Sequence, residues 1–463
     1  MSFFRALCAG AAFATCIVGF ASPVAAAPPA LGAIKHVMVI DLENESYSTT
    51  FGANSPAVYL NTVLLKQGEL IQNYFATSHV SLGNYISEVS GQEPTVSTND
   101  DCINLGSLSS PPVVGSFNNV SPGTDDANQA AFPGQVDGDG CVFPAPTATS
   151  MGAETIGDQL DQKYGLPDGN PKTKIHWREY AEDMGLDINR DHGDPEVGGS
   201  DCAHPAIGGN DLTNTAEAAD QYADRHAPFV YFHSVIDDQA RCDAHVVPLG
   251  NVLVGSNGAQ DVFVGHLAKD LQDEATTPEY MFVSPNLCND GHDGTCHGVN
   301  LEGGHAGGLA GADIWLKHYM PMIFNSPAYK TGSLLVVITF DEAGASDARA
   351  CPAADQSTCG SPVGPNVSNP GFSKLLGLFH VQTPPTANYQ YAGGGQVGAV
   401  VFNKFYVQPG TVNSTGVYNH YSALRTYEDL LGITSGGADG HGHLGYAATP
   451  GLATFGADVF NQP

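Results

Sequence analysis

Two apolar runs in this sequence end on hard oxygen donors. Lys35-His36-Val37-Met38-Val39-Ile40 leads into Asp41-Leu42-Glu43-Asn44, and Leu334-Leu335-Val336-Val337-Ile338-Thr339-Phe340 leads into Asp341-Glu342. Glu43, Asn44, Asp341 and Glu342 suit a divalent cation such as Mg²⁺, Ca²⁺ or Mn²⁺, or Zn²⁺ if a histidine joins them. Acidic strand ends serve equally as caps for the following helices. A third stretch, Thr77-Ser78-His79-Val80-Ser81-Leu82-Gly83-Asn84-Tyr85, sets a hydroxyl three residues before an amide where a helix is predicted to open. There Ser81 Oγ, the helix N-terminal N–H groups and the Asn84 amide can surround one anion as a phosphate cradle. The competing reading is an ordinary N-cap serine, with Glu88 further along. A serine becomes a nucleophile when its alkoxide is stabilised, and a bound cation can do that without a histidine base. In the fourth stretch, Ser284-Pro285-Asn286-Leu287-Cys288-Asn289-Asp290-Gly291-His292-Asp293, the side chains of Asp290, His292 and Asp293 can converge on a second metal or a phosphate; a polar or Ca²⁺-binding turn is the alternative. His420, directly before a predicted helix, is catalytic or structural, and His441 and His443 in a Gly-rich turn are expected to be solvated.

Groups so far apart in sequence meet only if strand ends meet. Short β-branched runs alternate with helical patterns, which predicts an α/β fold with a mainly parallel sheet covered by helices. Strands are expected at 35–40, 229–232, 280–283, 334–340 and 397–402. Helical stripes are expected for Val264, Leu267, Ala268 and Leu271, and for Leu424, Tyr427 and Leu431. In such sheets ligands bind beyond the carboxyl ends of the strands. Residues 28–463 are read as a single domain. Its stretches 100–150 and 343–395, rich in Gly, Pro, Ser, Asp and Cys, are read as disulfide-pinned surface loops.

The chain has 463 residues and a formal net charge of −31, from 17 Lys+Arg against 48 Asp+Glu. That balance argues against nucleic acid and against a polybasic grip on anionic membranes, and an anionic substrate would need local cations. Residues 1–27 read as a signal peptide: a positive start through Arg5, an apolar core from Ala6 to Phe20, and small residues at Val24-Ala25-Ala26-Ala27. The run is shorter than the about 20 residues of a membrane span, so no stable membrane insertion is expected. A secreted or periplasmic protein follows. Its remaining cysteines, Cys102, Cys141, Cys202, Cys242, Cys288, Cys296, Cys351 and Cys359, are even in number and are expected to pair as disulfides between sequence neighbours.

Taken in order, these segments resemble a known family: the bacterial and fungal phosphoesterases that include secreted acid phosphatases and non-specific phospholipases C, within the alkaline-phosphatase-like superfamily. The resemblance runs from His36-Val37-Met38-Val39-Ile40 and Glu43-Asn44 through Ser81-x-x-Asn84-Tyr85-Ile86 and Ile175-His176-Trp177-Arg178-Glu179-Tyr180. It continues through Pro228-Phe229-Val230-Tyr231, Asp290-Gly291-His292-Asp293, Thr339-Phe340-Asp341-Glu342 and Asn419-His420-Tyr421-Ser422. It implies a three-layer alkaline-phosphatase-like fold. It implies Glu43, Asn44, Asp341 and Glu342 as metal ligands, Ser81 as a nucleophile that also touches the metal, and Asn84 as a phosphate-orienting amide. Asp290, His292, Asp293 and His420 become a polar wall, with His292 or His420 giving a proton to the leaving alcohol. Val80 and Gly83 stand where the family commonly has proline. The function implied is metal-dependent hydrolysis of phosphate monoesters through a phosphoserine, on a phosphorylated small molecule or lipid headgroup. A phospholipase C-type phosphodiesterase and an inactive Ca²⁺-stabilised binding protein are the alternatives.

Overall fold

The computed structural model describes residues 32–103, 115–122, 131–147, 151–170, 173–185, 195–196, 199–211, 218, 221–256, 259–344, 364–366 and 393–461. Residues 1–27, read as a signal peptide, together with Cys351, Cys359 and most of the stretch 343–395, lie outside them. An eight-stranded sheet flanked by helices forms the centre. Its strands in chain order are β1 (His36–Leu42), β2 (Glu69–Ile71), β3 (Trp177–Ala181), β4 (Val246–Pro248), β5 (Tyr280–Ser284), β6 (Leu334–Phe340), β7 (Ala399–Phe402) and β8 (Thr411–Asn413). The order across the sheet is β8-β2-β7-β6-β1-β5-β3-β4, and only β7 runs against the rest. The α/β reading from the alternation of strands and helices therefore holds.

β1 and β6 are apolar almost throughout because helices cover both faces of a central parallel strand, and every residue of both is buried. Their register pairs His36 with Leu334 and Leu42 with Phe340. The next residues, Glu43 and Asp341, are therefore delivered side by side, with the Asp341 N–H donating to the Leu42 carbonyl at 2.8 Å. On the other side of β1, β5 pairs Ile40 with Val283 and leads into the turn that carries Asp290 and His292. Three neighbouring strand ends thus supply the polar groups.

Three helices complete the positioning: α1 (Ser81–Ser90), α2 (Gly308–Asn325) and α3 (His420–Leu430). Asn419 caps α3, its side-chain oxygen accepting from the Ser422 N–H at 2.9 Å. Disulfides join Cys102 to Cys141, Cys202 to Cys242 and Cys288 to Cys296, each between sequence neighbours as expected. Among the described residues no helix is long and apolar enough to cross a membrane.

Two expected elements differ. The run at 229–232 is a buried 3₁₀ turn, Pro228–Tyr231, instead of a strand. Proline opens it, the Phe229 N–H goes to Glu179 Oε2 at 3.2 Å, and the Phe229 ring packs 4.6 Å from Trp177. Val264 belongs to a hairpin strand, Val262–Val264, paired with Asn251–Leu253. Gly265 at φ 109° breaks the chain there, so the helix covers only His266–Asp270.

Candidate active site

Glu43 is the centre of the cluster and is fully buried. Its backbone N–H donates to the Asp290 carbonyl at 2.8 Å, and Asn44 turns the chain through the left-handed region at φ 54°. Glu43 Oε2 accepts from Ser81 Oγ at 3.0 Å and from Asn44 Nδ2 at 2.7 Å, while Oε1 accepts from the Tyr85 hydroxyl at 2.6 Å. Asp341 Oδ1 accepts from the Asn44 N–H at 2.9 Å, and the buried Oδ2 has no hydrogen-bond partner. Burial, and then the charges of Asp341 and Asp290, push the Glu43 carboxyl well above its usual range. Burial, and then Glu342 and Asp41, do the same to Asp341. Buried carboxylates that repel one another around an unpartnered oxygen are suited to a cation.

Ser81 opens α1 directly beside these carboxylates. The loop before it is held by Asn84, whose Oδ1 accepts from the N–H groups of Thr77 at 2.9 Å and Ser78 at 2.8 Å. Its Nδ2 donates to the carbonyls of Ser78 at 3.0 Å and Val80 at 3.2 Å. The amide expected to orient a phosphate is thus occupied by backbone in this structure and shapes the loop instead. One helix N-terminal donor is occupied too: Leu82 N–H goes to Asp101 Oδ1 at 2.9 Å. Asn84→Ala should strand several buried donors and acceptors and cost about 3 kcal/mol. Urea unfolding measures this, and a loss indistinguishable from zero would contradict the assigned role.

On the turn after β5, Asp290 Oδ1 accepts from the His292 N–H at 2.8 Å, and His292 Nδ1 lies 2.7 Å from Asp293 Oδ1. Burial raises the Asp290 carboxyl to about 7. Burial alone would lower the His292 pKa, but the Asp293 hydrogen bond and the Asp290 charge outweigh it and hold it above the ordinary imidazole range. The His292 side chain is 31% exposed, so it reaches solvent. Gly291, at φ 115°, lets the turn pass close to the Glu43 carbonyl; a Cβ there would stand 2.8 Å from it.

His420 is placed differently from the expected polar wall. It is fully buried, with Nε2 2.8 Å from the Asp341 carbonyl oxygen and Nδ1 2.6 Å from Glu88 Oε1. Both ring nitrogens are taken, so it holds the strand end and faces no substrate. Glu342 Oε2 is paired closely with His79 Nδ1. His443, expected to be solvated, is buried between Asp439 and Asp429, 2.6 and 3.1 Å away.

Several groups at the site escaped the reading of the sequence. His226 bridges the two carboxylate clusters, Nε2 lying 3.3 Å from Glu43 Oε1 and Nδ1 3.4 Å from Asp290 Oδ2, with its ring stacked 5.4 Å from Tyr85. Burial, then Arg225 and His292, pull its pKa well below the usual value, which keeps it neutral. Arg225 is buried 3.8 Å from Asp101 and 3.7 Å from Asp211. His79, in the Ser81 stretch, pairs with Glu342. The available hint was scarcity: with 17 Lys+Arg in 463 residues, a cation beside a histidine just before an apolar run stands out.

Among the described residues no three His, Cys, Asp or Glu side chains already form a metal-holding group. What converges is two carboxylates, Glu43 and Asp341, with the Ser81 hydroxyl and the Asn44 amide close by. A buried hydroxyl on a carboxylate, backed by a second carboxylate and with a solvent-reaching histidine of raised pKa on the neighbouring turn, has the parts for nucleophilic transfer of an electrophilic group.

A family model described as the Phosphoesterase family matches residues 55–434. A "Phosphate-repressible acid phosphatase" of Penicillium chrysogenum is 26% identical over 280 residues, 60% of this chain and 42% of that protein. A "Probable acid phosphatase" of Kluyveromyces lactis is 25% identical over 311 residues, 67% of this chain and 48% of that one. The chain thus spans less than half the length of these curated relatives. Among solved structures, a Vibrio parahaemolyticus protein of the alkaline phosphatase superfamily is similar with TM-score 0.40 and 11% identity, covering 88% of this chain and 68% of that one. A sulfatase from Pseudoalteromonas sp. is similar with TM-score 0.36 and 13% identity, covering 87% and 68%.

Proposed function

The chain belongs to the Phosphoesterase family, and from that premise we propose that it is a metal-dependent phosphomonoesterase of the acid phosphatase type. The observation that carries the reading is Ser81 Oγ at 3.0 Å from Glu43 Oε2, beside Asp341. The curated relatives named acid phosphatases favour the monoester. The leader-like start and the disulfides favour export, to the periplasm or beyond the cell.

In this mechanism Ser81 Oγ passes its proton to Glu43 Oε2 and attacks phosphorus; the Oγ–P bond forms as the bond from phosphorus to the alcohol oxygen breaks. His292, protonated, gives its Nε2 proton to the departing alcohol. Neutral His292 then takes a proton from water as that water attacks the phosphoserine, and Ser81 recovers its proton from Glu43. Arg225 adds positive charge beside the site in a strongly acidic chain. Tyr85 and Asn44 hold Glu43 in place, and Asn84 holds the serine loop. When held by Glu43, Asn44, Asp341 and Ser81, a divalent cation supplies Lewis acidity, lowering the proton affinity of the serine hydroxyl and neutralising the carboxylates around it. Glu342, paired with His79, stands second to those ligands.

The test is phosphate release by purified protein from a chromogenic phosphomonoester, beside a matching phosphodiester and phosphatidylcholine. Preferential monoester cleavage is expected. Cleavage of the diester or the lipid instead would move the reading to a phospholipase C. Silence on all three with divalent cations supplied would overturn hydrolase activity in favour of a binding protein.

The pH profile has a predicted sign. His292 acts while protonated, and its Asp293 and Asp290 neighbours hold its pKa above the ordinary imidazole range against the effect of burial. Turnover should therefore hold at acidic pH and fall as pH rises through that elevated value. His292→Gln should cost about 10²-fold in kcat and remove that descending limb. An unchanged limb in the variant would take the proton-donor role away from His292.

A further inference from the structure

Glu88 stands seven residues after Ser81 on α1, close to two full turns, so the two share a helix face. Nothing in the mechanism above uses it, and it is buried. Glu88 Oε1 is 2.6 Å from His420 Nδ1, and His420 Nε2 is 2.8 Å from the Asp341 carbonyl oxygen. A carbonyl has no proton to offer, so Nε2 carries the hydrogen and donates. The Tyr74 hydroxyl also approaches Nδ1, at 3.3 Å, with the two ring centroids 5.5 Å apart and edge to face. Asp41 lies against Glu88, and Tyr280 and Tyr427 stand nearby. Every one of these side chains is buried, so bulk water does not compete for these contacts.

We propose that Glu88 is a positioning residue of the Ser81 site: its carboxyl, 2.6 Å from Nδ1 of His420, fixes the ring whose Nε2–H holds the Asp341 carbonyl. One chain of two contacts then ties the helix bearing Ser81, the N-terminus of α3 and the end of β6. Removing the carboxyl frees the imidazole to turn and loosens Asp341 relative to Ser81. The effect on catalysis rests on the phosphatase reading; the contact chain does not.

The test compares the full-length protein with Glu88→Gln and Glu88→Met. The glutamine amide can still hydrogen-bond to Nδ1; methionine has similar volume and cannot. Nitrogen-15 spectra of histidine-labelled, metal-free protein, with His420 assigned by loss of its signals in His420→Asn, report which ring nitrogens carry hydrogen. Wild type and Glu88→Gln should show hydrogen on Nε2. Glu88→Met should lose about tenfold or more in kcat with KM within about twofold, while Glu88→Gln stays within about threefold of wild type. A wild-type His420 without hydrogen on Nε2 would overturn the proposal. So would a folded Glu88→Met with wild-type kcat, or a Glu88→Gln as impaired as Glu88→Met. If Glu88→Met does not fold, the wild-type and Glu88→Gln spectra and kcat values still decide. If wild type hydrolyses no phosphomonoester, the phosphatase reading fails, and the spectra alone decide the contact chain.

Discussion

Ser81→Ala is expected to lower turnover of a phosphomonoester by at least about 10⁴-fold, because it deletes the atom that, in the proposed mechanism, forms the bond to phosphorus. The fold should change little. Ser81 donates one hydrogen bond at 3.0 Å, to Glu43, and Glu43 keeps the Tyr85 hydroxyl and the Asn44 amide as donors. The predicted outcome is therefore a protein with the wild-type circular dichroism spectrum and a thermal midpoint within a few degrees, without activity. Steady-state kinetics on the purified variant measure it. Activity within about tenfold of wild type would remove Ser81 from the chemistry, since no positional role explains so small a loss at a nucleophile.

Stripping divalent cations is the second large effect. Glu43 and Asp341 are buried, repel each other and include an oxygen with no hydrogen-bond partner. Without a cation they relieve that repulsion by taking up protons, which leaves Glu43 unable to accept the serine proton. A chelator should therefore lower turnover at least about 10²-fold, and added divalent cation should restore it. The thermal midpoint should fall on stripping and recover on reloading, because a ligand that binds the folded state alone stabilises it. Full activity after metal removal verified by elemental analysis would refute the cation requirement. Which of Mg²⁺, Ca²⁺, Mn²⁺ or Zn²⁺ restores it best identifies the ion.

How far the site was legible follows from where its information resides. The ends of β1 and β6 could be read because central parallel strands are uninterrupted apolar runs, so Glu43 and Asp341 mark the points where burial stops. Their adjacency depended on strand order and register, which periodicity does not encode. β3 escaped notice because Trp177-Arg178-Glu179-Tyr180-Ala181 carries two charges. They are tolerated because Arg178 meets Asp270 at 2.6 Å and burial holds Glu179 toward its neutral form. The 229–232 run misled in the opposite direction, since four apolar residues suit a buried turn as well as a strand.

Residue type showed what a side chain can do, while partners showed what it does. Asn84 belongs to the Ser81 stretch, but its amide is spent on the backbone of Thr77, Ser78 and Val80. His420 was drawn toward the substrate, and the fold puts it behind Asp341. His226 and Arg225 are far from Glu43 in sequence and reach the site only because the turn before Phe229 folds over β5 and α1. Nothing local to them announces that.

The central claim is that Ser81 becomes covalently phosphorylated in turnover. Acid quenching of the protein during hydrolysis of a phosphomonoester, followed by proteolysis and mass spectrometry of the peptide containing Ser81, tests it directly. Phosphate on Ser81 is expected, dependent on substrate and absent from Ser81→Ala. Turnover with no trapped phosphate under any quench condition, or phosphate on another residue, would contradict it.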